Sequence, residues 1–146
     1  MTALFEHSPW VEARADARPS SGDRHADLMA VVHEASREEQ LALIRAHPEL
    51  AGKAAIDGSL TQASAAEQAS AGLDRMTAHE FERFHALNAA YAAKFGFPFI
   101  ICVRLTDKAG ILAAMERRLA NDRDTEIETA IGEIGEIVRL RLESIA

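Results

Sequence analysis

Thr77-Ala78-His79-Glu80 opens the stretch that decides the fold, TAHEFERFHALNAAYAAKFG at residues 77–96. A Thr followed three residues later by a Glu is a capping box, the signature of a helix N-terminus, and Gly96 is a typical C-terminal stop. Between these signals, large side chains recur at helical spacing: Phe81, Phe84, Leu87 or Asn88, Tyr91 and Phe95. The pattern predicts a long amphipathic helix with one buried face.

The same signals divide most of the remaining chain into helices. Ser36-Arg37-Glu38-Glu39 is a second capping box, and apolar periodicity predicts further helices over about 108–119 and 125–144. Only Phe97 to Val103 has a β-like composition, but Pro98 interrupts it and no second strand is available to pair with it. We predict that this segment is extended and buried, and that residues 1–146 form a single all-α domain.

Composition and charge limit the classes of function. The chain has 146 residues, of which 48% are hydrophobic, a fraction too high for a disordered protein. Its 16 Lys and Arg against 23 Asp and Glu give a net charge of −7. Because phosphate-rich partners require clustered Lys and Arg, we expect neither a nucleic-acid nor a membrane partner.

Cysteine usage and the N-terminal sequence indicate the compartment. Cys102 is the only cysteine, so no intramolecular disulfide can form, which is compatible with a reducing environment. No apolar run approaches the ~20 residues that span a bilayer. Residues 2–8 lack the basic and apolar regions of a secretory signal. We expect a soluble, cytoplasmic protein.

Motifs of cofactor and metal chemistry are missing from the sequence. Gly52-Lys53-Ala54 is not a phosphate-binding loop, because the upstream Gly is absent and no Ser or Thr follows the Lys. His33-Glu34 and His79-Glu80 lack the second His of the zinc motif HExxH. We expect any chemistry to need no cofactor or metal and to use ordinary side chains.

His47 lies where a predicted helix ends, because Pro48 disfavours the α region for the residue before it. Imidazole titrates near neutral pH, so it can give and take a proton there. A His at this position can also serve only to interact with the helix dipole. Taken alone, the residue favours that structural interpretation.

Ser64-Ala65-Ala66-Glu67 is a third capping box by pattern, and reciprocal capping by Ser64 and Glu67 needs no further function. A helix N-terminus also presents free N–H groups that suit an anionic or carbonyl-rich ligand. Gln68 adds an amide that both donates and accepts. Both interpretations stay open.

Arg141 continues an apolar stripe in the last predicted helix, whose other members are Ile127, Ile131, Ile134, Val138 and Ile145. At ~100° per residue, Arg141 lies about 40° from the centre of this stripe, whereas Arg139 lies about 120° away and should be solvated. A core-facing Arg requires a carboxylate partner, which its planar fork can bind in bidentate fashion. A structural ion pair and a ligand carboxylate explain Arg141 equally well.

Four segments occur together in this chain: HPELAGK at 47–53, SAAEQASAGL at 64–73, LNAAY at 87–91 and FGFPFIICV at 95–103. In combination they resemble the family of 2-oxo-4-hydroxy-4-carboxy-5-ureidoimidazoline (OHCU) decarboxylases. Glu6-His7-Ser8-Pro9-Trp10 and Leu140-Arg141-Leu142 match as well, so the resemblance covers nearly the whole chain.

The resemblance implies an all-α fold of about seven or eight helices and, usually, a homodimer without cofactor or metal. The implied reaction converts OHCU to (S)-allantoin with loss of CO₂, in urate degradation. His47 matches the catalytic His of the family and Glu67 its acidic partner. The positions that match substrate contacts are Pro48, Ser64, Gln68, Arg141 and, through the backbone, the wall residues Phe99, Ile100, Ile101 and Val103.

Two alternatives remain at this point. A non-enzymatic helical module could bind a partner helix through its Ala-rich faces; it predicts that Arg141 pairs internally and that no pocket joins His47 to Glu67. A hydrolase or isomerase could instead act on a related ureide in the same pocket.

Overall fold

The computed structural model describes residues 4–5, 7–47, 50 and 62–145. Within these ranges the backbone forms seven α-helices and one 3₁₀ turn, and it contains no strand. The elements are α1 (Trp10–Asp16), α2 (Arg24–Glu34), α3 (Arg37–Arg45), α4 (Gln62–Ser70), α5 (Ala78–Phe95), the 3₁₀ turn (Val103–Leu105), α6 (Lys108–Arg118) and α7 (Arg123–Ile145). The predicted all-α class and helix number are confirmed.

Local capping explains where the predicted helices begin and end. The Ser36–Glu39 box at α3 and the Thr77–Glu80 box at α5 are both present, each with the two reciprocal hydrogen bonds. Gly96 closes α5 in the left-handed region, at φ +79°, which a residue without a Cβ adopts at no steric cost.

The Ser64–Glu67 capping box is a wrong prediction. Helix α4 begins at Gln62, so Ser64 lies inside the helix and cannot be its N-cap. The other end of α4 follows the expected pattern, because Gly72, at φ +85°, stops it in a Schellman motif. In this motif Gly72 N donates to Ala69 O at 3.0 Å and Leu73 N donates to Gln68 O at 3.0 Å.

Helix α7 supplies the centre of the core. It starts at Arg123, two residues before the predicted start, because the Asp122 side chain accepts from the N–H of Thr125 at 2.7 Å and caps it. Its apolar stripe is fully buried and packs against α2 and α3. The stripe residues described are Ile127, Ile131, Ile134 and Val138.

An aromatic cluster joins α5 to the segment that follows it. The ring centroids of Tyr91 and Phe95 are 4.5 Å apart, and those of Tyr91 and Phe99 are 5.3 Å apart in an edge-on arrangement. Phe97, Phe99, Ile100 and Cys102 are buried although residues 97–102 belong to no helix or strand, so the predicted burial of this segment is confirmed for these four residues. Cys102 has an extended backbone conformation. Val103 differs, because it begins the 3₁₀ turn.

A buried charged network holds this segment from behind. Arg118 donates from Nη1 to the Ile100 carbonyl at 2.7 Å and from Nε to Glu126 at 2.8 Å. Glu126 also accepts from the Tyr91 hydroxyl and from Asn121. Burial, with the hydrogen bond to Glu126, raises the pKa of the Tyr91 phenol. The network therefore fixes the Ile100 backbone at a set distance from α6 and α7.

None of the helices described here combines the length and the apolar composition that crossing a membrane requires.

Candidate active site

A cavity lies between the end of α3, one face of α4, the extended segment after α5 and the C-terminal half of α7. The described residues that line it are His47, Leu50, Ser64, Glu67, Gln68, Phe99, Ile100, Ile101, Cys102, Val103, Arg104, Ile137 and Arg141. Most of the wall is apolar, and the polar groups come from His47 after α3, from α4, from the 3₁₀ turn and from α7. Such a site suits a small ligand with a few specific polar contacts.

Helix geometry explains the contribution of α4. Ser64, Glu67 and Gln68 are three and four residues apart, which places them on one face of a helix. Ser64 and Gln68 are buried against the cavity. One turn of α4 therefore presents a hydroxyl, a carboxylate and an amide to the same space.

Arg141 and Glu67 form a buried, bidentate ion pair within the cavity wall. Nε of Arg141 donates to Oε2 of Glu67 at 2.8 Å, and Nη2 donates to Oε1 at 2.7 Å. The side chains are only 6% and 14% exposed. Nη1 of Arg141 also donates to the Leu4 carbonyl at 3.3 Å. Arg141 therefore has a structural carboxylate partner. That partner, Glu67, is the acidic residue that the family resemblance implies at the site.

His47 faces the same cavity from the end of α3. Its Nδ1 lies 2.9 Å from the Leu43 carbonyl oxygen. Because a carbonyl only accepts, Nδ1 carries the proton and the neutral ring has its lone pair on Nε2. The turn of helix before His47 therefore selects the tautomer in which Nε2 can act as a base.

The apolar wall consists of residues 99–103. Phe99, Ile100 and Val103 are buried, and Ile101 is half-buried. Cys102 also lines the cavity, and burial raises the pKa of its thiol to about 11. Its backbone lies against Glu133 of α7, a half-buried carboxyl whose pKa is raised by burial.

Every predicted site residue that the structure describes lies in this lining, and Pro48 falls outside the described residues. The lining contains four further residues, Leu50, Cys102, Arg104 and Ile137. Ile137 precedes Arg141 by one helical turn, so the helical wheel could have found it. Leu50 is placed by Asn88 on α5, whose Nδ2 donates to the Leu50 carbonyl at 2.9 Å, and no local pattern predicts that contact.

Of the two predictions made by the non-enzymatic alternative, one agrees with the structure and the other does not. Arg141 does pair internally, but one cavity does join His47 to Glu67. Within the described ranges, no group of three His, Cys, Asp or Glu side chains is arranged to hold a metal ion.

The fold and site define a class of protein: an all-α domain in which an imidazole and an Arg–carboxylate pair face one largely apolar cavity, an arrangement suited to proton transfer on a small polar ligand. The model of the family "OHCU decarboxylase" matches residues 1–143. The chain belongs to the OHCU decarboxylase family.

Relatives and solved structures agree with this assignment. The 2-oxo-4-hydroxy-4-carboxy-5-ureidoimidazoline decarboxylase of Haloferax volcanii is 44% identical, covering 95% of this chain and 82% of the relative. The mouse (Mus musculus) protein of the same name is 36% identical over 97% of this chain and 82% of its own. The crystal structure of an (S)-allantoin synthase superposes with a TM-score of 0.71 at 30% identity, covering 97% of this chain and 46% of that one.

A second structure supports the fold alone. An OHCU decarboxylase crystallised in the presence of (S)-allantoin gives a TM-score of 0.74 at 21% identity, over 97% of this chain and 93% of that chain.

Proposed function

We propose that this protein removes CO₂ from OHCU and yields (S)-allantoin, a carboxy-lyase step in urate degradation. Its membership of the family and the names of its relatives support the reaction. The cavity that joins His47 to the Glu67–Arg141 pair is the observation that carries the proposal.

The substrate supplies its own electron sink. OHCU bears a carboxylate and a hydroxyl on one ring carbon, next to a ring C=N bond. When the bond to the carboxylate breaks, CO₂ leaves and the electron pair forms a C=C bond to the neighbouring ring carbon. The C=N pair moves onto the ring nitrogen, which takes a proton from solvent. The hydroxyl then loses its proton to become the carbonyl of allantoin, and the ring carbon bearing the ureido group gains a proton on one face. This chemistry needs no electron-accepting cofactor.

His47 is the proposed base for the hydroxyl proton. The tautomer set by the Leu43 carbonyl leaves the lone pair on Nε2, and the residue lines the cavity. General acid–base catalysis of this kind contributes about 10²–10⁴-fold to the rate. Pro48, the next residue, is proposed to contact the substrate beside it, as the resemblance implies.

Glu67 is the proposed partner of the ring and ureido N–H groups. The fork of Arg141 holds its carboxylate in one orientation, and a fixed acceptor costs no reorganisation when the ligand binds. Ser64 and Gln68 add polar contacts from the same face of α4. The wall residues Phe99, Ile100, Ile101 and Val103 are proposed to contact the flat ring through their backbone.

A coupled assay tests the reaction directly. OHCU is generated freshly from urate, the protein is added, and the product is followed by circular dichroism. We expect rapid formation of optically active (S)-allantoin together with release of CO₂. Racemic allantoin at the spontaneous rate would support the non-enzymatic module, and a chiral product without CO₂ release would support the hydrolase or isomerase.

Assembly and location are part of the same proposal. The family resemblance implies a homodimer, and light scattering after size-exclusion chromatography measures the mass that tests it. The lone Cys102 is compatible with a reducing, cytoplasmic compartment, which a fluorescent fusion would reveal.

A further inference from the structure

Arg104 is a cation at the mouth of the cavity that the substrate contacts proposed above do not use. It lies in the 3₁₀ turn directly after the apolar wall, its side chain is exposed, and it belongs to the cavity lining. Its Nη1 donates weakly to Oγ of Ser144, at 3.4 Å. Among the residues that the structure describes, no carboxylate forms an ion pair with Arg104.

The guanidinium groups near Arg104, those of Arg141 and Arg118, already form ion pairs with carboxylates. Arg141 binds Glu67 through two hydrogen bonds, so this pair presents little net charge to a ligand. Arg118 is buried behind the wall and binds Glu126. A ligand carboxylate placed next to Glu67 would meet a like charge, whereas one at the mouth would meet Arg104.

We propose that Arg104 binds the carboxylate of the anionic substrate at the cavity mouth and is therefore a specificity-determining residue. The inference rests on the proposed function, since OHCU carries this carboxylate and allantoin does not. The contact distinguishes the charged substrate from the neutral product. It also supplies a local attractive charge on a chain whose net charge of −7 repels anions.

The position of Arg104 suits capture of the substrate rather than the chemical step. As CO₂ leaves, charge moves from the carboxylate into the ring, so a cation on the carboxylate stabilises the ground state at least as much as the transition state. Loss of Arg104 should raise KM, and kcat should change little. Because the side chain is exposed, its substitution should also leave folding intact.

The test compares Arg104→Gln and Arg104→Lys with a matched control, Arg117→Gln, which removes the same charge from an exposed site outside the cavity lining. In the OHCU assay we expect Arg104→Gln to raise KM about 10-fold, the loss of one charge-assisted contact. We expect kcat to stay within about 2-fold, because uniform or ground-state binding is what is lost. Arg104→Lys should recover much of the loss, and Arg117→Gln should behave as wild type.

Two further readouts separate a charge contact from a distorted pocket. The decline of kcat/KM with ionic strength should be shallower in Arg104→Gln than in wild type. Inhibition by neutral (S)-allantoin should be unchanged. An unchanged KM, a fall in kcat alone, or equal weakening of substrate and allantoin would each overturn the inference.

A binding measurement without turnover tests the carboxylate contact of Arg104 separately from the proposed decarboxylation. Calorimetry with hydantoin-5-acetate, an unreactive heterocycle that carries a carboxylate on a methylene group, needs no decarboxylation. Weaker binding to Arg104→Gln than to wild type, with Arg117→Gln as control, supports the carboxylate contact even if OHCU proves not to be the substrate. Equal affinity for the two proteins overturns it even if wild type decarboxylates OHCU.

Discussion

Arg141 and Glu67, 74 residues apart in the chain, meet fork to fork at 2.8 and 2.7 Å in the wall of the cavity. The pair ties α7 to α4 and lies beside the groups that face the ligand space. Breaking a buried ion pair leaves one uncompensated charge, whereas replacing both partners by apolar residues is often close to neutral for stability. The contributions of this pair to folding and to activity can therefore be separated.

Arg141→Leu should lower the free energy of unfolding by about 3–5 kcal/mol, because the buried Glu67 carboxylate loses its partner. The double variant Glu67→Leu/Arg141→Leu should regain most of this stability and still lack activity. Urea unfolding and the OHCU assay on the same preparations measure both. A double variant as unstable as Arg141→Leu, or one that turns over substrate normally, would contradict the assignment.

His47→Asn should slow decarboxylation by orders of magnitude and leave the fold unchanged. The Asn amide nitrogen can take the position of Nδ1 and still donate to the Leu43 carbonyl, so the end of α3 keeps its hydrogen bond, but no group replaces Nε2. We expect a loss of about 10²–10⁴-fold in kcat, with the far-ultraviolet circular dichroism of wild type. Near-normal turnover would remove His47 from the mechanism.

The helical wheel predicted that Arg141 faces the core, and the structure shows it there. Its carboxylate partner could not be predicted in the same way, because the contact depends on how α4 and α7 pack. The Ser64–Glu67 spacing gave a wrong prediction for a related reason. The local pattern fits a helix cap, but α4 starts earlier, at Gln62, and Glu67 binds Arg141. Local signals thus predicted the elements better than the side chains that join them.

The buried partners Arg118 and Glu126 show the same limit. Arg118 follows the exposed Arg117 in α6, and the carboxylate and the carbonyl that it binds depend on how α6 packs against α7 and the wall. The wall residues 99–103 were expected from sequence, but the charged group that holds Ile100 in place was not. Such contacts join distant parts of the chain and become visible only once the helices are assembled.

The adjacent pair Arg117 and Arg118 offers a matched test of this network. Arg118→Met leaves the fully buried Glu126 carboxylate without its cationic partner and frees the Ile100 carbonyl, so we expect a loss of about 3–5 kcal/mol in unfolding free energy. Arg117→Met, one residue away and exposed, should change it by less than ~0.5 kcal/mol. Chemical denaturation of the two variants side by side measures the difference, and similar values for both would refute a supporting role for Arg118.

Cys102 should be protected from alkylation in the folded protein. Burial raises the pKa of its thiol from 9.0 to about 11, which lowers the thiolate fraction near pH 8 about 100-fold, and the side chain is shielded as well. Iodoacetamide followed by mass spectrometry should label the native protein at least that much more slowly than the protein unfolded in guanidinium chloride. Equal labelling rates would contradict the buried placement.

The same shift predicts how stability depends on pH. Between pH 9 and about 11 the unfolded thiol has lost its proton and the folded one retains it, so the folded state binds more protons and the free energy of unfolding falls as pH rises through this window. Cys102→Ala lacks this thiol, so its stability should fall less steeply than that of wild type over the same range. Thermal or urea unfolding of both proteins at a series of pH values measures how steeply the free energy of unfolding falls with pH. Equal slopes for the two proteins would show that the thiol has the same pKa in the folded and unfolded states.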